Sequence, residues 1–326
     1  MTKTTTAPCV PLIELPKPLD QLSASELERK ACIGKIMTHT LQSLTSTFVA
    51  SGFQWLLPVT LSQSTDPLWP DPGASIEKRI EVDIYGKVVR TTASMIVHKL
   101  VASSLAYPKL FIVSPNIRIE KAERAKTGRH VYEFTQLDFE AQGATSKDIF
   151  TLVEKALVTL VTSIKKDMKP ELVALRCDAL KVPKAPFKIV DKADLEAKYG
   201  AEWEACLSKE ITEPVWVTNI PREFYDFEDF KTGKWDNYDL FLPKIGEVLS
   251  GAKREWEYAK ISKKIERDDV KKENYAILLK LAKEGRIKPS AGAGIGMERL
   301  VGWVTGVQHI AETQPFPRVP GTVNEL

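Results

Sequence analysis

The sequence has few cysteines and no pattern among them. Cys9, Cys32, Cys177 and Cys206 lie far apart with no C-x-x-C pair, which argues against a disulfide framework or a thiolate zinc site and for idle thiols in a reducing compartment. His39, His98, His130 and His309 show no metal spacing, and no Ser–His–Asp or Cys–His grouping stands out. No apolar run is long enough to span a membrane, and the opening MTKTTTAPCVPLIELPKP lacks a signal-peptide core. The expectation is a cytoplasmic protein with no membrane attachment. Neither sign of charge dominates: 46 basic residues face 43 acidic ones, a net charge of +3. That balance argues against nucleic acid as a partner, because binders cluster basic residues on one face. Internal repeats and low-complexity segments are also missing. What remains is a globular chain of 326 residues, 43% hydrophobic and 27% charged, enough for one large domain or two ordinary ones.

Residues 1–19 are rich in Pro and Thr and predict an extended or mobile arm. The run SASE at Ser23–Glu26 is a capping box that opens a helix expected to stop near Gly52. FQWLLPV then reads as a buried strand whose Pro58 points to an edge or an interface. STDPLWPDPG is a Pro-rich loop too rigid for a flexible linker, and IEVDIYGKVVRTTA resumes strand character. A helix is predicted from about Ser146, with Ile149, Val153, Leu157, Leu160 and Ile164 on its core face. Residues 169–234 alternate short apolar runs with Pro and read as a small insertion. WDNYDLFLPKIGEVLSGAKREWEY predicts strand, turn and strand. YAKISKKIERDDVKKENYAILLKLAKEG is helical, with a solvated charged face preferred over an RNA-binding one. SAGAGIGMERLVGWVTG reads as a Gly-rich strand running into a helix.

The chemistry concentrates in three places. SPNIRIEKAERAKTGRHVYEFTQLDFE, Ser114 to Glu140, predicts a long antiparallel hairpin joined by a basic loop at Gly128. Period-two reading puts Asn116, Arg118 and Glu120 on one face of its first strand, and Tyr132, Phe134, Gln136 and Asp138 on one face of its second. Leu137 and Phe139 lie behind. His130 beside Arg129 could reach a phosphate; otherwise it is an ordinary loop residue. GEVLSGAKRE holds Glu247, Ser250 and Arg254, with Asp239 shortly before. Glu and Ser oxygens suit Mg²⁺, but a spacing of three residues puts them on opposite faces of a straight strand, so such a site needs a bulge. Taken alone the segment reads as a surface turn; beside the hairpin it is a second pointer to a phosphate-bearing substrate. GAGIG at Gly292–Gly296 lacks the spacing and the following chain of a dinucleotide fingerprint. Its glycines either let a ligand lie against the strand, with Arg299 over it, or only ease helix–strand packing.

These pieces stand in the order of the three motifs of class II aminoacyl-tRNA synthetases. Pro58 after GFQWLLP resembles motif 1, RIE with RHVYEFTQLDFE resembles motif 2, and GAGIGMERL resembles motif 3. EFTQLDFE, GE..SG..R and QPFPRVPG are similar to the aspartyl/asparaginyl subgroup. The resemblance starts near residue 25, leaving no room before it for the anticodon-binding OB-fold of that subgroup. The expectation is therefore a stand-alone core similar to the archaeal-type asparagine synthetases, which STDPLWPDP, NIPREFYD and KPSAGAGIG also resemble. The resemblance implies an α+β fold over residues 20–326, an antiparallel sheet of about six strands flanked by helices, and a homodimer formed through motif 1.

It also implies roles. Arg118 would hold the ATP α-phosphate and Glu120 the adenine amino group, with Phe134 and Arg299 sandwiching the base. Arg118 and Arg299 would thereby be catalytic. Arg129 and His130 would meet the outer phosphates, and Asp239, Glu247 and Ser250 would hold Mg²⁺. Asp138 would receive the substrate ammonium, Arg254 with Lys99 would grip a carboxylate, Arg254 bidentately, and Ser94, Gln136 and Asp66 would line the amino-acid pocket. Ile96 departs from the aspartyl enzymes, which place glutamine there. The implied activity is ATP-dependent: aspartate becomes a β-aspartyl-adenylate with release of pyrophosphate, and ammonia displaces AMP to give asparagine. Asp66 is the expected base for ammonium. The alternatives are a truncated paralogue that passes its amino acid to tRNA or another acceptor, and a silent binding paralogue. The intact set of Arg118, Glu247 and Arg299 argues against the last.

Overall fold

The computed structural model describes residues 13–67 and 76–325. Residues 1–12 of the expected arm, and most of the Pro-rich loop after Asp66, lie outside them. Ser23 closes the capping box: its hydroxyl accepts the Glu26 N–H, and the Glu26 carboxylate accepts the Ser23 N–H at 2.7 Å. Helix α1 then runs from Ala24 to Ala50 and ends against Gly52, whose φ of +83° only glycine adopts readily.

The main sheet has eight strands: β1 (Gln54–Leu56), β2 (Lys109–Ile117), β3 (Glu133–Gln142), β4 (Lys188–Asp191), β5 (Val215–Thr218), β6 (Asn237–Leu242), β7 (Gly246–Lys253) and β8 (Ser290–Gly296). Their order is β1-β2-β3-β8-β7-β6-β5-β4. The central six, β2 to β5, pair antiparallel throughout. One parallel strand borders each edge, β1 beside β2 and β4 beside β5. The expected sheet of about six antiparallel strands is thus its centre. Strand β1 lies in the expected FQWLLPV stretch and at the edge to which Pro58 pointed, but it is exposed rather than buried, with Trp55 on the surface. The four-residue β4 is too short for periodicity to reveal. Strands β4 and β5 come from residues 169–234, so this segment packs as part of the sheet.

The remaining labelled helices are α2 (Ile96–Leu105), α3 (Ser146–Asp167), α4 (Trp203–Glu210), α5 (Tyr258–Arg267), α6 (Ala276–Lys283) and α7 (Met297–Thr305). One face of the sheet is covered by α1, α3 and α7 around Phe48, Phe111, Phe139, Leu157 and Leu300. Each fully buried side chain of this kind contributes about 1.5–3 kcal/mol. Helices α2, α5 and α6 form a second cluster with Phe224 and Tyr225 at the border of the other face. That other face is polar. On β3, Leu137 and Phe139 are buried in the core, while Gln136 and Asp138 line a cavity.

Two local irregularities shape this polar face. In β6–β7, Leu240 pairs with Leu249 and Phe241 with Glu247, so Val248 is an extra residue. That is the bulge the Glu247/Ser250 spacing requires, and it brings both residues to the face of Asp239. In β8, Gly292 lies opposite Glu140 and Gly294 opposite Asp138. A Cβ on Gly294 would fall 2.8 Å from Asp138 Oδ1. The glycines make room for carboxylates of the neighbouring strand. No helix among the described residues is long and apolar enough to cross a membrane.

Candidate active site

Two adjoining cavities open on the polar face of the sheet, of about 390 Å³ and about 230 Å³. Arg118, Glu120, Gln136, Glu247 and Gly294 belong to both and form the wall between them. The smaller is also lined by Arg129, His130, Phe134 and Arg299. The larger takes in Asp66, Ser94, Lys99, Asp138, Asp239, Ser250 and Arg254. The structure therefore brings together every residue nominated from the sequence.

The smaller cavity is cationic. Arg118 follows β2, where its Nε donates to the Ala93 carbonyl at 3.1 Å and its guanidinium lies 5.1 Å from the Phe134 ring centre. Arg299, in the first turn of α7, donates to the backbone carbonyls of Glu247 (2.9 Å) and Arg129 (3.3 Å). These fix its plane, and the Glu247 carboxylate pairs with its Nη1 at 3.6 Å. An aromatic ring and flat guanidinium groups in one slot suit a planar, electron-rich base. His130 differs from the expected phosphate contact. Burial, together with Arg299, Arg124 and Arg129, pushes its pKa down to about 2, so the ring is neutral. Its Nε2 accepts from Arg124 at 2.7 Å, which leaves the proton on Nδ1 facing Thr127 Oγ1 at 2.6 Å. The positive charge here belongs to the arginines.

The larger cavity is acidic and largely self-neutralised. Lys99 on α2 donates to Asp138 Oδ1 at 2.8 Å and to the Ala293 carbonyl at 3.1 Å, with Glu140 at 3.9 Å. Ser94 Oγ accepts the Ile96 N–H, at the first residue of α2, at 3.1 Å. Gln136 Oε1 accepts from Asn116 at 2.9 Å. Arg254, 3% exposed, corrects the expectation of a bidentate grip on substrate. Its Nη1 donates to Asp226 at 2.8 Å, its Nη2 to the Gly292 carbonyl at 3.0 Å, and its Nε to Glu140 at 3.3 Å. The fork is engaged within the protein, and a ligand carboxylate would have to displace these partners.

The family profile of tRNA synthetases class II (D, K and N) matches residues 75–320. The chain belongs to this family. An asparagine–tRNA ligase of Thermoplasma acidophilum is 26% identical over 305 residues, spanning 87% of this chain and 68% of that protein. The asparaginyl-tRNA synthetase of Pyrococcus horikoshii, solved with asparaginyl-adenylate, superposes with a TM-score of 0.81 at 24% identity, covering 95% of this chain and 76% of that one. The Entamoeba histolytica enzyme, also solved with asparaginyl-adenylate, gives a TM-score of 0.78 at 19% identity over 94% of this chain and 72% of that one. The fold is the class II synthetase catalytic fold, and the family is one of ligases.

Seen as a class II site, the Mg²⁺ trio Asp239, Glu247 and Ser250 does not fit a metal as arranged. Arg222 donates to Asp239 Oδ1 at 2.9 Å and to Ser250 Oγ, taking two of the three donors. Among the described residues no cluster of three His, Cys, Asp or Glu could hold a metal ion. Burial lifts the Asp239 pKa to about 7, against the pull of Arg222.

Sequence reasoning missed Glu204, Arg222, Glu223 and Asp226, all of which line the larger cavity and come from residues 169–234. Glu204, half-exposed on α4, reaches to within 3.8 Å of Arg129. NIPREFYD carried the one available signal: an Arg–Glu pair between a strand-ending proline and two aromatics, polar residues placed where the chain turns inward.

Proposed function

We propose that the chain is an ATP-dependent, ammonia-using asparagine synthetase. Aspartate enters the larger cavity and ATP the smaller, and aspartate's β-carboxylate attacks the α-phosphorus at the shared wall. The observation that carries this reading is that wall. Arg118 belongs to both cavities, so a carboxylate on one side and a triphosphate on the other meet at one guanidinium. In-line attack of carboxylate on phosphorus needs positioning and charge neutralisation more than covalent help. Arg118 supplies both, and Arg299 with Phe134 fixes the base.

The acceptor follows from the larger cavity. Ile96 lines it where the aspartyl-tRNA synthetases carry glutamine, so the amino acid is oriented differently. With the β-carboxylate turned toward Arg118, ammonia displaces AMP and the product is asparagine. The exposed Trp55 and Leu57 at the β1 edge, 57% and 88% accessible, support a homodimer covering that edge. The test is incubation of the protein with ATP, Mg²⁺, aspartate and ammonium, following AMP and asparagine by chromatography. Asparagine stoichiometric with AMP supports the reading. Pyrophosphate turnover without asparagine overturns it in favour of a second reading, transfer of an activated amino acid to tRNA. The likeness to asparaginyl-tRNA synthetases favours that alternative.

A further inference from the structure

Glu223 lines the larger cavity next to Phe224 and Tyr225 of the second aromatic cluster. It is 9% exposed, and its buried Oε2 has no hydrogen-bond partner among the described residues. Buried carboxylate oxygens are normally satisfied, because stripping one of water without a replacement costs several kcal/mol. The charged groups facing Glu223 are Asp66, Asp226 and Arg222. Arg222 spends its Nη1 and Nη2 on Ser250 and Asp239. Asp226 already accepts from Arg254 at 2.8 Å and from Asn237 at 3.2 Å. Glu223 therefore combines a place in the cavity lining with a buried oxygen that no donor among the described residues satisfies, beside acids that add negative potential: a place for a small cation with N–H donors.

We propose that Glu223 forms an ammonium subsite and takes the proton that turns ammonium into the ammonia nucleophile. This rests on the asparagine-forming reading above. Ammonium donates an N–H to the Glu223 carboxylate, and the proton crosses, leaving ammonia and a neutral carboxyl. The ammonia lone pair attacks the acyl carbon of the adenylate. The new C–N bond forms, and the acyl C–O bond breaks with its electron pair leaving on AMP. The surplus proton on the new amide nitrogen and the proton on Glu223 pass to water. A base works best when its pKa approaches that of the proton it removes. Burial and the charge of Asp66 raise Glu223 well above the ordinary carboxylate range. Asp66, the base expected from the sequence, thus acts through Glu223 as the neighbour that tunes it.

The test compares the full-length protein with E223Q in three assays near neutral pH. Aspartate-dependent ATP–pyrophosphate exchange stays within about twofold of the parent, because adenylation does not use Glu223. Ammonium-dependent asparagine formation falls roughly 10²-fold, the low end of general-base effects. Hydroxylamine, which enters as a neutral nucleophile, still yields aspartate hydroxamate at close to the parent rate. The residual ammonium rate of E223Q climbs with pH as free ammonia increases. A raised aspartate KM in exchange would overturn the proposal and make Glu223 a substrate-ammonium ligand. Equal losses with hydroxylamine and ammonium would overturn it in favour of a packing role. Should E223Q lose exchange through misfolding, E223D decides: a carboxylate retained there must keep ammonium use ahead of an otherwise folded E223A. If the parent exchanges pyrophosphate but makes neither asparagine nor hydroxamate, the function reading falls and the subsite with it. Faults confined to the variants count against Glu223 alone.

Discussion

The two cavities share a wall and oppose each other in charge. On the nucleotide side, Arg118 and Arg299 donate to backbone carbonyls, which orient a guanidinium without cancelling it, although Arg299 also has the Glu247 carboxylate at 3.6 Å. On the amino-acid side, Lys99, Arg222 and Arg254 are each tied to carboxylates. The first arrangement keeps positive charge available for a polyanion. The second ties its cations into a stiff frame in which carboxylates outnumber them, one that on the proposed function would hold a small zwitterion by shape and residual polarity. Conserving charge and cancelling it are thus two uses of one residue type, told apart by the acceptor each guanidinium finds.

Four changes sharpen or break that contrast. Lys99→Met would leave Asp138 buried without its cation, while Glu140 keeps Arg254 at 3.3 Å. Because removing one partner strands the other, stability should fall by about 3–5 kcal/mol in urea unfolding. A loss below about 1 kcal/mol would mean the frame does not depend on the pairing. Arg118→Ala should cut aspartate-dependent pyrophosphate exchange by roughly 10²–10³-fold, the cost of one preorganised donor to developing charge, with little change in unfolding.

Glu298 tests the nucleotide side by pH. Burial raises its pKa from 4.5 to about 7 although it accepts the Thr135 N–H. The folded state then binds more protons than the unfolded state between those values. Stability from this group is present below pH 4.5 and is lost as pH rises through about 7, by about 1.4 kcal/mol per unit at most. Glu298→Gln should flatten that slope in urea midpoints measured across the window. Gly294→Ala, at the shared wall, sets a Cβ 2.8 Å from Asp138 and 3.0 Å from Gln136 Nε2. It should cost about 1–3 kcal/mol of stability and weaken exchange on both substrates together.

How much of this was legible depends on range. Local chemistry was: the Ser23 capping box, the alternation of Phe134, Gln136 and Asp138 with Leu137 and Phe139 on β3, and the bulge demanded by Glu247 and Ser250 are set by residues a few positions apart. Arg118 and Glu120, by contrast, lie beyond the end of β2, where Ile119 and Glu120 pair with residues 76–78. Residue 118 with 299, or 66 with 138, came from motif order, since no local pattern joins them. Partnerships across the sheet were not legible. Arg254 looked like a substrate ligand because its spacing said nothing of Asp226, 28 residues away. His130 was expected at the outer phosphates, and nothing near it in sequence showed that Arg124, Arg129 and Arg299 together keep its ring neutral. The segment 169–234 hid four site residues because short strands and prolines carry no periodicity.

The most direct measurement labels aspartate with oxygen-18 in its β-carboxylate alone and supplies nitrogen-15 ammonium with ATP and Mg²⁺. The account predicts one labelled oxygen in AMP and nitrogen-15 in the side-chain amide of asparagine. Unlabelled AMP, or AMP without labelled asparagine, would contradict it.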